Sequence, residues 1–300
     1  MKKLIFLCLM PFIGIAQIQI GNDINGEEPG DLSGISVSLS SDGTVLAVGA
    51  SFNNGNGNDS GHVRVYQNTG GVWTQVGADI DGENAGDFSG ESVSLSSDGS
   101  VLAIGAHQND GNGNNAGHVR VYQNIGGVWT QVGDDIDGEN PDDLSGWSVS
   151  LSSDGNVVAI GASGNDGNGN NAGHVRVYQN IGSLWTQVSD DIDGENVNDF
   201  SGESVSLSSD GQVVAIGARF NDGNGSNAGH VRVYQNTGGV WTQVGADIDG
   251  EAADDRSGIE VSLSSDGSVV AIGANLNDGN GDNAGHVRVY QNTGGVWIQV

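Results

Sequence analysis

The octapeptide GHVRVYQN begins at Gly61, Gly117, Gly173, Gly229 and Gly285, once every 56 residues. A chain made of five copies of one unit buries its apolar residues by stacking like against like, so the repeat fixes the architecture before any other feature. The copies run approximately over 17–76, 77–132, 133–188, 189–244 and 245–300, read as a single domain spanning 17–300. The opening QIQIGNDINGE and the closing WIQV stand at the same phase of the repeat.

Within the copy 77–132, twelve residues are Leu, Ile, Val or Phe, too few for composition alone to separate folded from disordered. Patterning separates them. SVSLS (92–96) alternates small polar and apolar residues, VLAIGA (101–106) is nearly all apolar, and HVRVYQN (118–124) alternates again before VWTQV (128–132). These are four strands, joined by tight turns at SSDGS and NIGG. No window from Gln17 onward has helical periodicity. The expectation is an all-β fold, a β-propeller whose blades are four-stranded antiparallel sheets, with five blades or as part of a larger propeller. Trp73, Trp129, Trp185, Trp241 and Trp297 anchor the fourth strands. A β-solenoid competes, but its coils are usually shorter and lack repeated Asp-Gly hairpins.

The first sixteen residues, MKKLIFLCLMPFIGIA, read as a secretory signal peptide. Lys2 and Lys3 precede an apolar run too short to span a bilayer, and Gly14-Ile15-Ala16 is a small-x-small cleavage site. Removal would leave a cysteine-free chain with seven arginines against 38 acidic residues. That balance excludes nucleic acid and anionic lipid as partners, since both require clustered Lys or Arg, and favours cations. No later segment is long and apolar enough to be transmembrane. The expected location is secreted, extracellular or at the cell surface.

GESVSLSSDGSVLAIGA followed by GHVRVYQN resembles the FG-GAP repeat, the blade of integrin α-chain N-terminal propellers and of many bacterial surface proteins. The Phe-Gly element stands as Phe88-Ser89-Gly90 and Phe200-Ser201-Gly202, with Leu or Arg replacing Phe elsewhere. The Gly-Ala element recurs at Gly49-Ala50, Gly105-Ala106, Gly161-Ala162, Gly217-Ala218 and Gly273-Ala274. The resemblance implies cell adhesion through a seven-bladed propeller and a calcium loop between the first two strands. Here that place holds only SSDG, so the family's metal site does not carry over.

A different loop suggests a metal. GADIDGENAGDFSG places Asp79, Asp81, Glu83 and Asp87 at positions 1, 3, 5 and 9. The register returns at Asp135/Asp137/Glu139/Asp143, Asp191/Asp193/Glu195/Asp199 and Asp247/Asp249/Glu251/Asp255, with Asp23/Asn25/Glu27/Asp31 as the first copy. With the Ala85 carbonyl between them, such acids can surround calcium, at a dissociation constant of about 10⁻⁴–10⁻³ M. The competing reading is a solvated acidic loop, with Asp81-Gly82 a plain turn. His62, His118, His174, His230 and His286 lie within a strand and read as packing residues. Arg64, Arg120, Arg176, Arg232 and Arg288 read as interblade partners for loop carboxylates.

Antiparallel strands send alternate connections to opposite faces, so every long loop shares one face and the SSDG turns lie on the other. The copies differ mainly on the long-loop face, where Phe52, His107, Trp147, Arg219, Phe220 and Leu276 are candidate ligand contacts. Three functions are open: a non-catalytic adhesion propeller taking an extracellular protein or glycan, a glycoside hydrolase on a five-bladed propeller, and a surface scaffold without a specific ligand. Hydrolysis needs carboxylates in unlike environments, and five near-equivalent acidic loops offer no such contrast. The N-terminal strand is expected to lie beside the C-terminal blade and close the ring.

Overall fold

A computed structural model describes residues 19–300, and the signal-peptide reading of 1–16 lies outside them. Among the described residues every regular element is a strand. The second copy is representative: Ser92–Leu95, Val101–Ala106, His118–Ile125 and Val128–Gln131 form an antiparallel meander. Each lies within a residue or two of its sequence-predicted bounds. Five such sheets follow in order, the blades of a propeller.

One element was not legible in the sequence. Ile80–Asp81, inside the acidic loop, pairs with His62 and Val63 on the third strand of the preceding blade. Equivalent two-residue strands occur at Ile136–Asp137, Ile192–Asp193 and Ile248–Asp249. They carry each loop along its own blade before it crosses to the next.

The cores lie between blades. Val119, Val121 and Ile136 of one blade pack on Leu151, Val158, Ile160 and Tyr178 of the next, and Trp185 closes the outer side. Three similar clusters join the other neighbours. Small residues permit the close approach: a Cβ on Gly105 would stand 2.0 Å from the Gly146 carbonyl oxygen of the adjacent blade. On the tight-turn face, Ser97 N donates to Ser153 O and Ser153 N to Ser209 O, linking SSDG turns from blade to blade. Each indole also reaches back, as Trp129 Nε1 does to Val76 O at 3.0 Å.

The ring is open between the fifth and first blades. Val287 is 68% exposed, whereas Val63, Val119, Val175 and Val231 at the same position are fully buried. On the facing side Val37 and Leu39 are exposed. A Cβ on Gly34 would meet nothing within 4 Å, and one on Gly273 would meet only its own blade. The expected closure by the N-terminal strand is therefore corrected. Ile20 O accepts the Trp73 indole N–H at 3.0 Å, so this segment serves blade one as Val76 serves blade two. The phase similarity of the two ends was real, but the indole's need for an acceptor seats the N-terminal end on its own blade.

Open and closed rings make different predictions for one motif position. Val231→Ala should cost about 2–3 kcal/mol in thermal or denaturant unfolding, from lost transfer energy plus a cavity. Val287→Ala should change stability by about 0.5 kcal/mol or less. Equal losses would show that the seam closes in solution.

Candidate functional site

The third strand carries the charge of the interior. In HVRVY, alternation places His118, Arg120 and Tyr122 on one face and Val119 and Val121 on the other. The His-Arg-Tyr face meets the acidic loop arriving from the preceding blade. Arg120 Nη2 donates to Asp81 O at 2.7 Å, its Nη1 lies 3.6 Å from Glu83 Oε1, and its guanidinium lies 5.6 Å from the Tyr122 ring centre. Equivalent bonds recur in all five blades, from Arg64 to Asn25 O through Arg288 to Asp249 O. The arginines are interblade partners of the loops, as their recurrence suggested.

The four acids of one loop do not converge. Asp79 turns back to its own blade, with Oδ1 accepting from Gln75 Nε2 at 2.6 Å and Oδ2 standing 3.8 Å from His62 Nδ1. Asp81 contributes its carbonyl to Arg120, and Glu83 reaches the next blade. Asp87 is buried, and its Oδ2 accepts from Asn84 N and Asn109 Nδ2, pinning the acidic loop to the NDGNGNNAG loop. Asp31, Asp199 and Asp255 repeat that latch to Asn53, Asn221 and Asn277. In Asp199 burial raises the carboxyl pKa, and the hydrogen bonds from Asn221 and Asn196 pull it down.

Asp143, the ninth position of the third loop, is buried as well. Its Oδ2 accepts from Glu139 N at 3.2 Å and from Asn140 N at 2.9 Å. The expectation that Asp143 shares a cation with Asp135, Asp137 and Glu139 is therefore corrected, and the same holds for Asp31, Asp87, Asp199 and Asp255 in their loops. The physical reason is common to all five. A carboxylate at this position caps backbone N–H groups of its own loop through Oδ2, which fixes the turn and holds the group apart from the other acids of that loop.

What converges instead comes from two successive loops and a histidine. Glu27, His62 and Asp79 bring one donor atom each within 4.8 Å of one another, as do Glu83/His118/Asp135, Glu139/His174/Asp191 and Glu195/His230/Asp247. The fifth histidine, His286, has Glu251 Oε2 at 3.7 Å. The histidines are packing residues, all but His286 nearly inaccessible, yet each also faces carboxylates. A sequence signal for this existed: in H-x-R, whatever acid the arginine gathers must lie beside the histidine. Burial, then the neighbouring arginine, push the imidazoles of His118, His174 and His230 down to about 4, against the pull of Asp135, Asp191 and Asp247.

The long-loop face gathers the candidate ligand contacts into a track. Phe52 meets Phe88 edge-on at 5.0 Å, Phe88 lies 5.8 Å from His107, and His107 lies 4.8 Å from Trp147. Farther round, Phe200 packs on Phe220 at 5.4 Å, and Arg219 and Arg256 lie over the Phe220 ring. These side chains are half-buried by one another rather than fully exposed, and His107 is buried, because neighbouring blades bring them into contact. Leu276 is half-buried and outside the track. The positions before the first strand, Leu32, Phe88, Leu144, Phe200 and Arg256, all have φ between 52° and 57°. Bulky side chains rarely adopt this left-handed conformation, so the backbone is strained at the same place in every blade.

Trp147, at the end of the track, also lines a cavity of ≈ 390 Å³ formed by residues at the start of the first strands of all five blades, among them Ile35, Glu91, Glu203 and Glu260. The carboxylates of this cavity are unlike. Arg219 Nε stands 2.7 Å from Glu203 Oε2, yet burial pushes the Glu203 carboxyl up to about 7, with Arg219 and Arg256 pulling the other way. The contrast expected to be missing from the acidic loops is present in this cavity.

The FG-GAP repeat family matches residues 79–122 and 136–178, within the second and third copies of the repeat. No curated protein matches the sequence. Among solved structures, the periplasmic gluconolactonase PpgL of Pseudomonas aeruginosa is similar at 18% identity and a TM-score of 0.59, covering 88% of this chain and 70% of that one. Hydrazine synthase of Kuenenia stuttgartiensis gives 15% and 0.57 over 95% and 69%. A provisional 6-phosphogluconolactonase of Bacteroides uniformis gives 10% and 0.53 over 89% and 84%. At such identities the likeness is one of fold. Among the described residues no helix is long and apolar enough to cross a membrane.

The buried histidines dictate a pH dependence. An imidazole that titrates near 6.5 when unfolded and near 4 when folded takes up protons preferentially in the unfolded state between those values. Its contribution is complete above pH 6.5 and is lost as pH falls toward 4. Melting in chelator-containing buffer should show stability falling by about 1.4 kcal/mol per pH unit for each such histidine. His118→Gln should make that slope shallower, and an unchanged slope would mean that these groups are already charged when folded.

Proposed function

We propose that this chain of FG-GAP repeats is a non-catalytic binding propeller of the extracellular space or cell surface, recognising a glycan or a protein through its long-loop face. The observation that carries this reading is the aromatic track from Phe52 to Trp147. It joins residues that differ between copies and lies on a rim where five bulky or charged side chains hold a strained backbone. Strain repeated at one rim, on loops held by a rigid sheet scaffold, is a feature of binding sites. The partly open ring faces suit stacking against a sugar or capture of an apolar side chain. The large acidic excess favours neutral or cationic partners over sulfated ones.

Glycan arrays and cell-binding assays with the chain test this. Trp147→Ser with Phe52→Ser should weaken binding by about 2 kcal/mol or more, roughly thirtyfold in Kd. Phe220→Ser tests the second patch. Substituting Ser97 or Ser153 on the opposite face should leave affinity unchanged, and equal losses from both faces would sink the assignment.

A second reading is favoured by one observation. Glu203 is a buried carboxyl near neutrality, beside two arginines, on a cavity lined by all five blades. A base of that pKa suits proton transfer at neutral pH. It supports hydrolysis of a lactone or glycoside, and similarity of fold to a gluconolactonase agrees with that chemistry by analogy alone. Sugar lactones and chromogenic glycosides should be turned over if this is correct, with Glu203→Gln abolishing activity. No turnover on either class removes it.

A further inference from the structure

We propose that each of the four Glu–His–Asp clusters binds one divalent cation of the zinc class, clipping a blade's third strand to the loops that precede and follow it. This proposal is independent of the ligand-binding reading.

In every cluster the aspartate has one oxygen engaged, by Gln75, Gln131, Gln187 or Gln243, at 2.6–2.7 Å. Its other oxygen faces the histidine Nδ1 at 3.6–3.8 Å. The glutamate is likewise divided. Oε1 lies 3.5–3.8 Å from the arginine Nη1, and where its approach is closest Oε2 lies 3.9–4.0 Å from Nδ1. Three lone-pair atoms therefore point at one another, too far apart for hydrogen bonds and too close for uncompensated carboxylates. The imidazoles are almost wholly buried, and both nitrogens of His174 lack a hydrogen-bond partner.

The spacing suits a metal. A point equidistant from three atoms, one pair of them 3.6–3.8 Å apart and the other pairs up to 4.8 Å, lies about 2.2–2.6 Å from each, and Zn–N and Zn–O bonds are about 2.0–2.2 Å. A shift of a few tenths of an ångström by the glutamate, the most exposed of the three, closes the difference. One imidazole and two carboxylates select zinc-class ions over calcium, which prefers an all-oxygen shell of six to eight. The solvent-facing side leaves a coordination position for water. The arginine neutralises one carboxylate, the ion the other, and the buried imidazole is already in the neutral form that ligates. Neither Glu83 nor Asp135 carries a metal with its own loop. Glu83 comes from the loop entering the blade and Asp135 from the loop leaving it, and the two-residue strand Ile136–Asp137 lays the second loop beside His118. The described residues contain no cysteine, so such clips would be their available form of cross-link.

Titration of the chelator-treated full chain with ZnCl₂ by calorimetry should give about four equivalents and a higher melting temperature. CoCl₂ should give visible d–d bands of four- or five-coordinate intensity. Asp135→Asn should remove one equivalent and about a quarter of the cobalt absorbance. His118→Gln should do the same, and the aspartate variant keeps the test valid should the histidine variant unfold. CaCl₂ at equal concentration should leave the cobalt spectrum in place. The proposal is overturned by fewer than about three equivalents of zinc, by stoichiometry unchanged in both variants, or by calcium displacing cobalt.

Discussion

The spacing between blades is set where the second strand of one blade meets a glycine carbonyl of the next. A Cβ on Gly49, Gly105, Gly161 or Gly217 would stand within about 2 Å of that oxygen, a distance no side chain tolerates. The carbonyl so enclosed still needs a donor. It receives one from the first strand of the preceding blade: Ser36 Oγ to Gly90, Ser92 Oγ to Gly146 and Ser148 Oγ to Gly202, at 2.7–2.8 Å. The small polar and small apolar residues that make this sequence look poor in core material are what the contact requires. Once it is set, the valine and isoleucine clusters, the serine relay and the charged face of the third strand follow at fixed separation.

Much of this was legible. Alternation in SVSLS and HVRVYQN and the Asp-Gly turns located four strands per copy, to within two residues in the second copy and with a first strand three residues longer at its start in the third and fifth, because period-two patterning and turn chemistry are local properties. Which loop shared a face with which followed from strand direction alone. The metal-ligand spacing misled because counting within one loop assumes that the loop folds on itself. Ile80–Asp81 is too short to have a period, yet its pairing with the third strand decides where every carboxylate points. Asp87 and Asp143 misled in another way, since an acid that caps its own turn has the same spacing as one that binds an ion. The closing of the ring was illegible for a related reason. Both chain ends have the same phase, and only the position of Trp73 shows which blade the N-terminal segment serves.

Charge is arranged in three shells. The third-strand arginines lie inside, each near a tyrosine ring and bonded to a loop carbonyl, where a neutral side chain would leave the carbonyl and a carboxylate unpaired. Around them lie carboxylates that are half-engaged, and outside these are the solvated acids of the NDGNGNNAG loops. The excess of negative charge thus sits on the face that also holds the aromatic track. Any partner approaching that face meets an acidic field first and aromatic rings second. Glu203 is an exception, since its charge is compensated by arginines present only in the fourth and fifth copies, Arg219 and Arg256.

The unsealed junction between blades five and one changes the kind of cooperativity available. A closed ring has as many interfaces as units and loses two at once when any unit opens, so it tends to melt all together. Five blades joined by four cores form instead a linear array, whose free energy is a sum over units and nearest-neighbour couplings. In such an array the terminal units have one coupling each and the middle units two. Opening then begins at the ends and moves inward, and amide protons in the third blade are sheltered longer than their sequence-identical counterparts in the fifth. Near-identical copies would in this way acquire different lifetimes from position alone.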